Sequence, residues 1–182
     1  MTSLLSLGCP RPTRVYPEVG AVVPELVGRT GRGEDFKLSA LQRKARFIFF
    51  GYTYCPDVCP LTLLTLRKAL KDTNADPSEV AVIFVSVDPE RDDEATLGKY
   101  VEAFGPAAMA VKPNNLTQVI KDFGLVVERE GAKSSTGATD HYTINHTASV
   151  TLIDAIGTVR ARFAHGTPPA EITPYLQELL TK

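Results

Sequence analysis

The sequence predicts an α/β fold in which a central mixed β-sheet is flanked by helices, with an N-terminal extension and a loop or hairpin insertion. Three observations carry that expectation. Two continuous apolar runs, FIFFG at 47–51 and VAVIFVSV at 80–87, have the composition of strands buried on both faces. Helical spacing follows each run, and strands separated by helices pair in parallel through right-handed crossovers. Late in the chain, ASVTLI at 148–153 and TVRARF at 158–163 flank the turn DAIG, which reads as a hairpin and adds antiparallel strands.

Residues 1–20 carry Pro10, Pro12, Pro17 and Gly20 and read as an extended lead-in, possessing Cys9 as an incidental thiol in a tail. Ser6-Leu7-Gly8-Cys9 also loosely matches a bacterial lipoprotein cleavage site, in which Cys9 carries the lipid. Residues 21–182 read as a single domain. Within it, 21–46 hold a short strand and turns, GRTGRGEDFKL being turn-rich before it alternates toward Leu38 and Leu41. After the first apolar run, Leu63, Leu66 and Leu70 share one helical face. After the second, Asp92 is placed to cap a helix bearing Leu97, Tyr100, Val101 and Phe104. Asn115 is placed to cap another, with Leu116, Val119, Ile120 and Phe123 in register and Gly124 as its stop. The tract EGAKSSTGATD at 130–140 reads as a surface loop or hairpin tip. A last helix carries Ile172, Tyr175, Leu176 and Leu179, with Pro174 either in its first turn or breaking it. A strand–Cys–helix unit opening such a sheet is the thioredoxin arrangement.

Composition narrows the function classes. The chain has 182 residues, 43% hydrophobic and 23% charged, enough for one core without disulfide staples. Its net charge is −1, and no basic stripe points to nucleic acid or an anionic membrane surface. No stretch reaches the ~20 apolar residues of a spanning helix.

The cysteines carry the chemistry. Cys55 and Cys59 lie in YCPDVCP, directly after the first buried strand. A proline is tolerated at the first helical position, where its missing N–H has no partner anyway. The helix is therefore expected to begin at Pro60 with Cys59 as N-cap, its positive end favouring thiolate. One helical turn brings residues four apart within about 5–6 Å. That suits a disulfide or a shared metal ion, at the accessible C-terminal end of a parallel strand. Of the three histidines, His146 lies just ahead of the strand at 148–153, the segment that faces the cysteine turn in thioredoxin-like folds. An imidazole there would approach both sulfurs. Two thiolates and an imidazole suit Cu(I) first and can hold Cu(II), whereas structural zinc wants a fourth ligand that is not evident. His141 and His165 read as ordinary loop residues.

These segments together resemble the SCO/SenC family of copper-binding proteins involved in cytochrome c oxidase assembly. FGYTYCPDVCPLTL resembles its first signature, VDPERD at 87–92 its second, and His146-Thr147-Ala148 followed by TLIDAIG its third, in order from about residue 20 to the end. The resemblance implies a thioredoxin-like fold with copper, Cu(I) or Cu(II), on Cys55, Cys59 and His146. It implies delivery of copper to, or reduction of cysteines at, the binuclear copper site of cytochrome c oxidase subunit II. Other copper chaperones or thiol reductants are further expected partners of a monomeric chain. It also implies the periplasmic or other extracytoplasmic face of a membrane, with an N-terminal anchor or lipid that this chain lacks or holds incompletely. Tyr54 departs from the histidine of many members, and the segment around Ala107–Asn114 is short. A dedicated thiol–disulfide oxidoreductase using Cys55 and Cys59 without copper is the competing reading, and a peroxidase a third. The run Asp88–Asp93 is read mainly as helix capping. Tyr52 and Tyr54 either shield the site or merely end the strand.

Overall fold

The two apolar runs are adjacent parallel strands at the centre of a seven-stranded sheet. The computed structural model describes residues 16–131 and 142–181. In chain order the elements are β1 Val27–Thr30, β2 Asp35–Lys37, β3 Ala45–Gly51, α1 Val58–Asp72, β4 Val80–Ser86, α2 Glu94–Glu102 and β5 Ala108–Pro113. There follow α3 Leu116–Asp122, β6 Val127–Glu130, β7 Thr143–His146, β8 Val150–Asp154, β9 Val159–Phe163 and α4 Pro169–Leu180. The sheet order is β2-β1-β5-β4-β3-β8-β9. Strands β3, β4 and β5 run parallel, and the flanking pairs are antiparallel. The architecture is the expected thioredoxin-like one.

Strand period explains the two cores. Ala45, Phe47 and Phe49 of β3, with Val80, Val82 and Phe84 of β4, face one layer. There they meet Leu63 and Leu66 of α1, Leu97 of α2 and Leu176 of α4. Ile48 and Phe50, with Ala81, Ile83 and Val85, face the other layer, closed by Val119, Phe123 and Leu125. Alternate side chains of a strand point to opposite faces, so a run apolar at every position must be covered on both sides.

Three features differ from the sequence expectation. Strand β5 was not foreseen, because Ala108–Pro113 mixes alanines with Lys112 and closes on a proline. Arg46, one residue before the apolar run, is buried, and its guanidinium donates to the carbonyls of Leu38 and Asp154. Pro174 lies inside α4 without breaking it, and Pro169 takes the first-turn position instead. The Ala170 carbonyl, four residues before Pro174, gets no amide from that proline and takes the Thr173 hydroxyl at 3.3 Å. The expected hairpin insertion is the two-stranded ribbon β6–β7, standing apart from the main sheet. Its tip, with His141, lies outside the described residues, as does Cys9.

Candidate metal centre

The chain leaves β3 at Gly51, turns, and enters α1 at Val58 with Asp57 as N-cap. The start expected at Pro60 is therefore two residues late, and Cys59 is not the cap. Pro60 fits at the third helical position, because none of the first four N–H groups has an intrahelical acceptor. The carbonyl four residues back, at Pro56, also lies outside the helix. The Asp57 side chain makes no capping hydrogen bond. Instead the Cys59 amide donates to Cys55 Sγ at 3.4 Å, so the first thiol closes the helix end that carries the second.

The two sulfurs differ in exposure. Cys55 is half-buried and Cys59 wholly buried, and neither is disulfide-bonded. The expected accessibility holds only for Cys55. The expected thiolate preference is reversed at Cys59: burial pushes its thiol well above the ordinary range, and the neighbouring Cys55 adds to this. The Tyr52 backbone works against that rise without cancelling it. Gly51 makes the room. A Cβ there would lie 2.8 Å from Cys59 Sγ and 2.6 Å from Phe84 Cε2, so any other residue would displace the sulfur or the ring.

His146 ends β7 and reaches the sulfurs from a segment 87 residues away. Its Nε2 is 3.6 Å from Cys59 Sγ. On the other side of the ring, Nδ1 lies 3.1 Å from the Thr147 carbonyl. Only a protonated Nδ1 can donate to that carbonyl, which assigns the lone pair to Nε2, facing the sulfur. The ring stands edge-on to Tyr52, with centroids 5.9 Å apart, and near Phe49 at 6.3 Å. Burial lowers its pKa below the usual histidine range, the Thr147 carbonyl opposing this, so the imidazole is neutral at pH 7. Tyr52 is buried and shields the site, whereas Tyr54 is 62% exposed and does not.

One ligand atom from each of Cys55, Cys59 and His146 lies within 4.8 Å of the others. Metal–sulfur bonds near ~2.3 Å and metal–nitrogen bonds near ~2.0 Å separate opposed ligand atoms by at most ~4.6 Å. The donor set therefore fits one ion after shifts of a few tenths of an ångström. Three soft or borderline donors and no carboxylate is a set for a soft, low-coordinate metal. His165 is not part of it. Its Nδ1 meets the Thr62 hydroxyl at 3.1 Å, the hydrogen-bonded loop role expected for it.

The Asp88–Asp93 run is not mainly a cap. Asp93, not Asp92, caps α2, accepting from the Thr96 amide at 2.7 Å. Asp92 is fully buried and accepts from the Thr53 hydroxyl at 2.6 Å and the Ser86 hydroxyl at 2.7 Å. Burial raises its pKa above the ordinary carboxylate range, those two hydroxyls opposing the rise. Two adjacent aspartates before a helical run fit capping at either position, and only the register of the helix separates them.

A model of the SCO1/SenC family matches residues 24–181. The SCO2-like protein of Rickettsia felis is 27% identical over 147 residues, which cover 80% of this chain and 70% of that one. The copper-bound ScoI structure from Bradyrhizobium japonicum superposes with a TM-score of 0.75 at 31% identity, covering 87% of this chain and 99% of that chain. Copper-bound ScoI from Arabidopsis thaliana shares the fold, with a TM-score of 0.76 at 21% identity over 88% and 99% of the two chains.

Proposed function

The chain belongs to the SCO1/SenC family, and from that premise we propose that it is a copper-binding assembly factor for cytochrome c oxidase. Cys55, Cys59 and His146 are its ligands for Cu(I) or Cu(II). The observation that carries this is the convergence of two sulfurs and an imidazole lone pair within 4.8 Å from two distant segments. Thiolate and imidazole donors favour copper over harder ions. The Bradyrhizobium relative, at 31% identity, is a copper-bound protein. Uptake displaces the Cys59 proton, so metal binding releases protons and weakens in acid.

The cargo site is the binuclear copper centre of oxidase subunit II. Cys55, the more exposed sulfur, is where an incoming thiol begins to share the ion. Cys59 is buried, whereas His146, like Cys55, is half-buried. Residues 21–182 act as one unit, and 1–20 lead toward an attachment on the extracytoplasmic face of a membrane. Among the described residues no helix is long and apolar enough to cross a bilayer.

Thiol exchange is a second reading, favoured by the unbridged pair and the uneven burial of its sulfurs. In it the Cys55 thiolate attacks a disulfide of the partner. Cys59 then resolves the mixed disulfide, leaving a Cys55–Cys59 disulfide here and two thiols on the partner. The deciding experiment mixes the reduced, copper-loaded protein with a soluble, copper-free subunit II domain, once with its cysteines reduced and once disulfide-bonded. Copper appearing on the reduced domain supports delivery. Reduction of the oxidised domain by copper-free protein, with no transfer to the reduced domain, supports thiol exchange.

A further inference from the structure

The loop between β4 and α2 holds the cysteine turn with one residue and the histidine ribbon with another. We infer that Arg91 and Asp92 are separate positioning residues for the two halves of the metal centre, Asp92 for the thiols and Arg91 for the imidazole. The inference rests on the reading that His146 and both cysteines share an ion.

Asp92 acts on the cysteine side. Its carboxylate is wholly buried and grips Thr53 twice, through the hydroxyl at 2.6 Å and the backbone amide at 3.2 Å. Ser86, at the end of β4, ties the same carboxylate to the sheet at 2.7 Å. Thr53 lies two residues before Cys55, whose amide donates to the Tyr52 carbonyl at 3.2 Å. The strand end and the turn carrying Cys55 are thus joined through one side chain.

Arg91 acts on the histidine side. Its Nη1 donates to the Tyr142 carbonyl at 3.0 Å, immediately before β7. Its Nε donates to Asp88, a buried carboxylate that also accepts from the Tyr142 hydroxyl at 2.6 Å. The guanidinium lies 3.5 Å from the Tyr142 ring centroid, and Arg129 stacks on that ring at 3.4 Å. Tyr52 extends the chain: the Ile144 amide donates to its hydroxyl at 3.3 Å, and its ring stands against His146. Among the described residues the ribbon β6–β7 has no ladder bonds to the main sheet. Side-chain contacts of this kind, together with the burial of Tyr142 and Ile144 in the core, therefore hold its last residue, His146. Groups that orient a ligand from behind are worth about 10–100-fold in metal affinity.

Each variant is expected to disturb one half much more than the other. The copper-free protein is compared with Arg91→Met, Arg91→Lys, Asp92→Asn and the milder pair Tyr142→Phe and Thr53→Val, with folding checked by thermal melting. Arg91→Met shifts the His146 ring resonance far more than it changes thiol alkylation rates, because its contacts on the cysteine side are only ring stacks on Tyr52 and Tyr54 at 5.6 and 4.8 Å. Arg91→Lys does not restore that resonance, because a lysine cannot reach Asp88 and the Tyr142 carbonyl together as the fork does. Asp92→Asn speeds alkylation of the cysteine pair and leaves the His146 resonance in place. In the copper(II)-loaded protein, Arg91→Met weakens binding about tenfold or more and loses nitrogen coupling in the electron paramagnetic spectrum. If a variant does not fold, the milder partner on the same side gives the same one-sided change. An unmoved His146 resonance in Arg91→Met, or equal disturbance of both halves by either variant, overturns the inference. Absence of nitrogen coupling in the parent instead overturns the copper reading and leaves the copper-free comparison standing.

Discussion

The cysteine turn and the histidine ribbon meet at one point but are held there by different means. The turn grows directly from β3, a strand hydrogen-bonded on both sides, and leads into a helix packed in the core. Its two proposed ligands are fixed by backbone: a strand end, a helix start, and a glycine without which Cys59 could not sit where it does. Among the described residues the ribbon pairs with itself, and its contribution of one imidazole rests on tyrosine and arginine contacts and on the core burial of Ile144. The difference teaches that one centre can join a rigid donor pair with a donor set by side chains.

Removing a sulfur should have the largest effect. Cys59→Ala is expected to weaken copper by about a thousandfold or more, roughly 4 kcal/mol, in a competition titration of the reduced protein. Retained affinity would mean that the turn is not the main anchor. Next is the unequal reactivity of the pair. Cys55 should alkylate about 10–100-fold faster than Cys59, and Cys59 should stay slow as pH rises through ~8.5, the ordinary thiol range. The sign follows from burial: a thiol whose folded pKa is raised stays protonated above its unfolded value, and folded stability falls as pH climbs further. Mass spectrometry of partly labelled protein measures both rates.

A smaller effect is expected at Gly51. Gly51→Ala forces the new methyl against Cys59 Sγ and the Phe84 ring, costing about 1–3 kcal/mol in denaturant unfolding, with the change confined to the cysteine side. The pH response of the ribbon is smaller again. His146 is half-buried with its pKa lowered by desolvation, so the unfolded chain binds the extra proton first. Stability of the copper-free protein should therefore decline as pH falls below ~6.5, and His146→Gln should flatten that slope. Least is expected of Tyr54→Ala. The ring is exposed and its guanidinium contact with Arg91 is 4.8 Å from the centroid, so stability should change by less than about 1 kcal/mol.

The same contrast explains what could be read in the sequence. Strands β3 and β4 were legible because burial on both faces leaves an unbroken apolar run. Helices α2 and α3 were legible from their spacing and from residues able to cap them. Strands β5 and β6 were not, since AMAVKP and VERE carry no clean alternation and take their shape from their neighbours. The three proposed ligands stood out because thiols are scarce and their motif is local. What surrounds them did not stand out. The assignment of Asp93 to the cap and Asp92 to the core depends on one residue of helix register. Whether burial or the helix end governs Cys59 depends on packing by Phe84 and His146, which no spacing encodes. Arg91 bears on Tyr142 across 51 positions of sequence.

The central claim is that His146 shares one ion with Cys55 and Cys59, and the most direct test is copper titration of the reduced parent beside His146→Ala, followed by paramagnetic resonance of the copper(II) forms. The parent chain is expected to take up one copper, with nitrogen coupling. In His146→Ala weaker uptake, by about a hundredfold, and no nitrogen coupling are expected. An alanine variant that binds as tightly as the parent, with an unchanged spectrum, would contradict it.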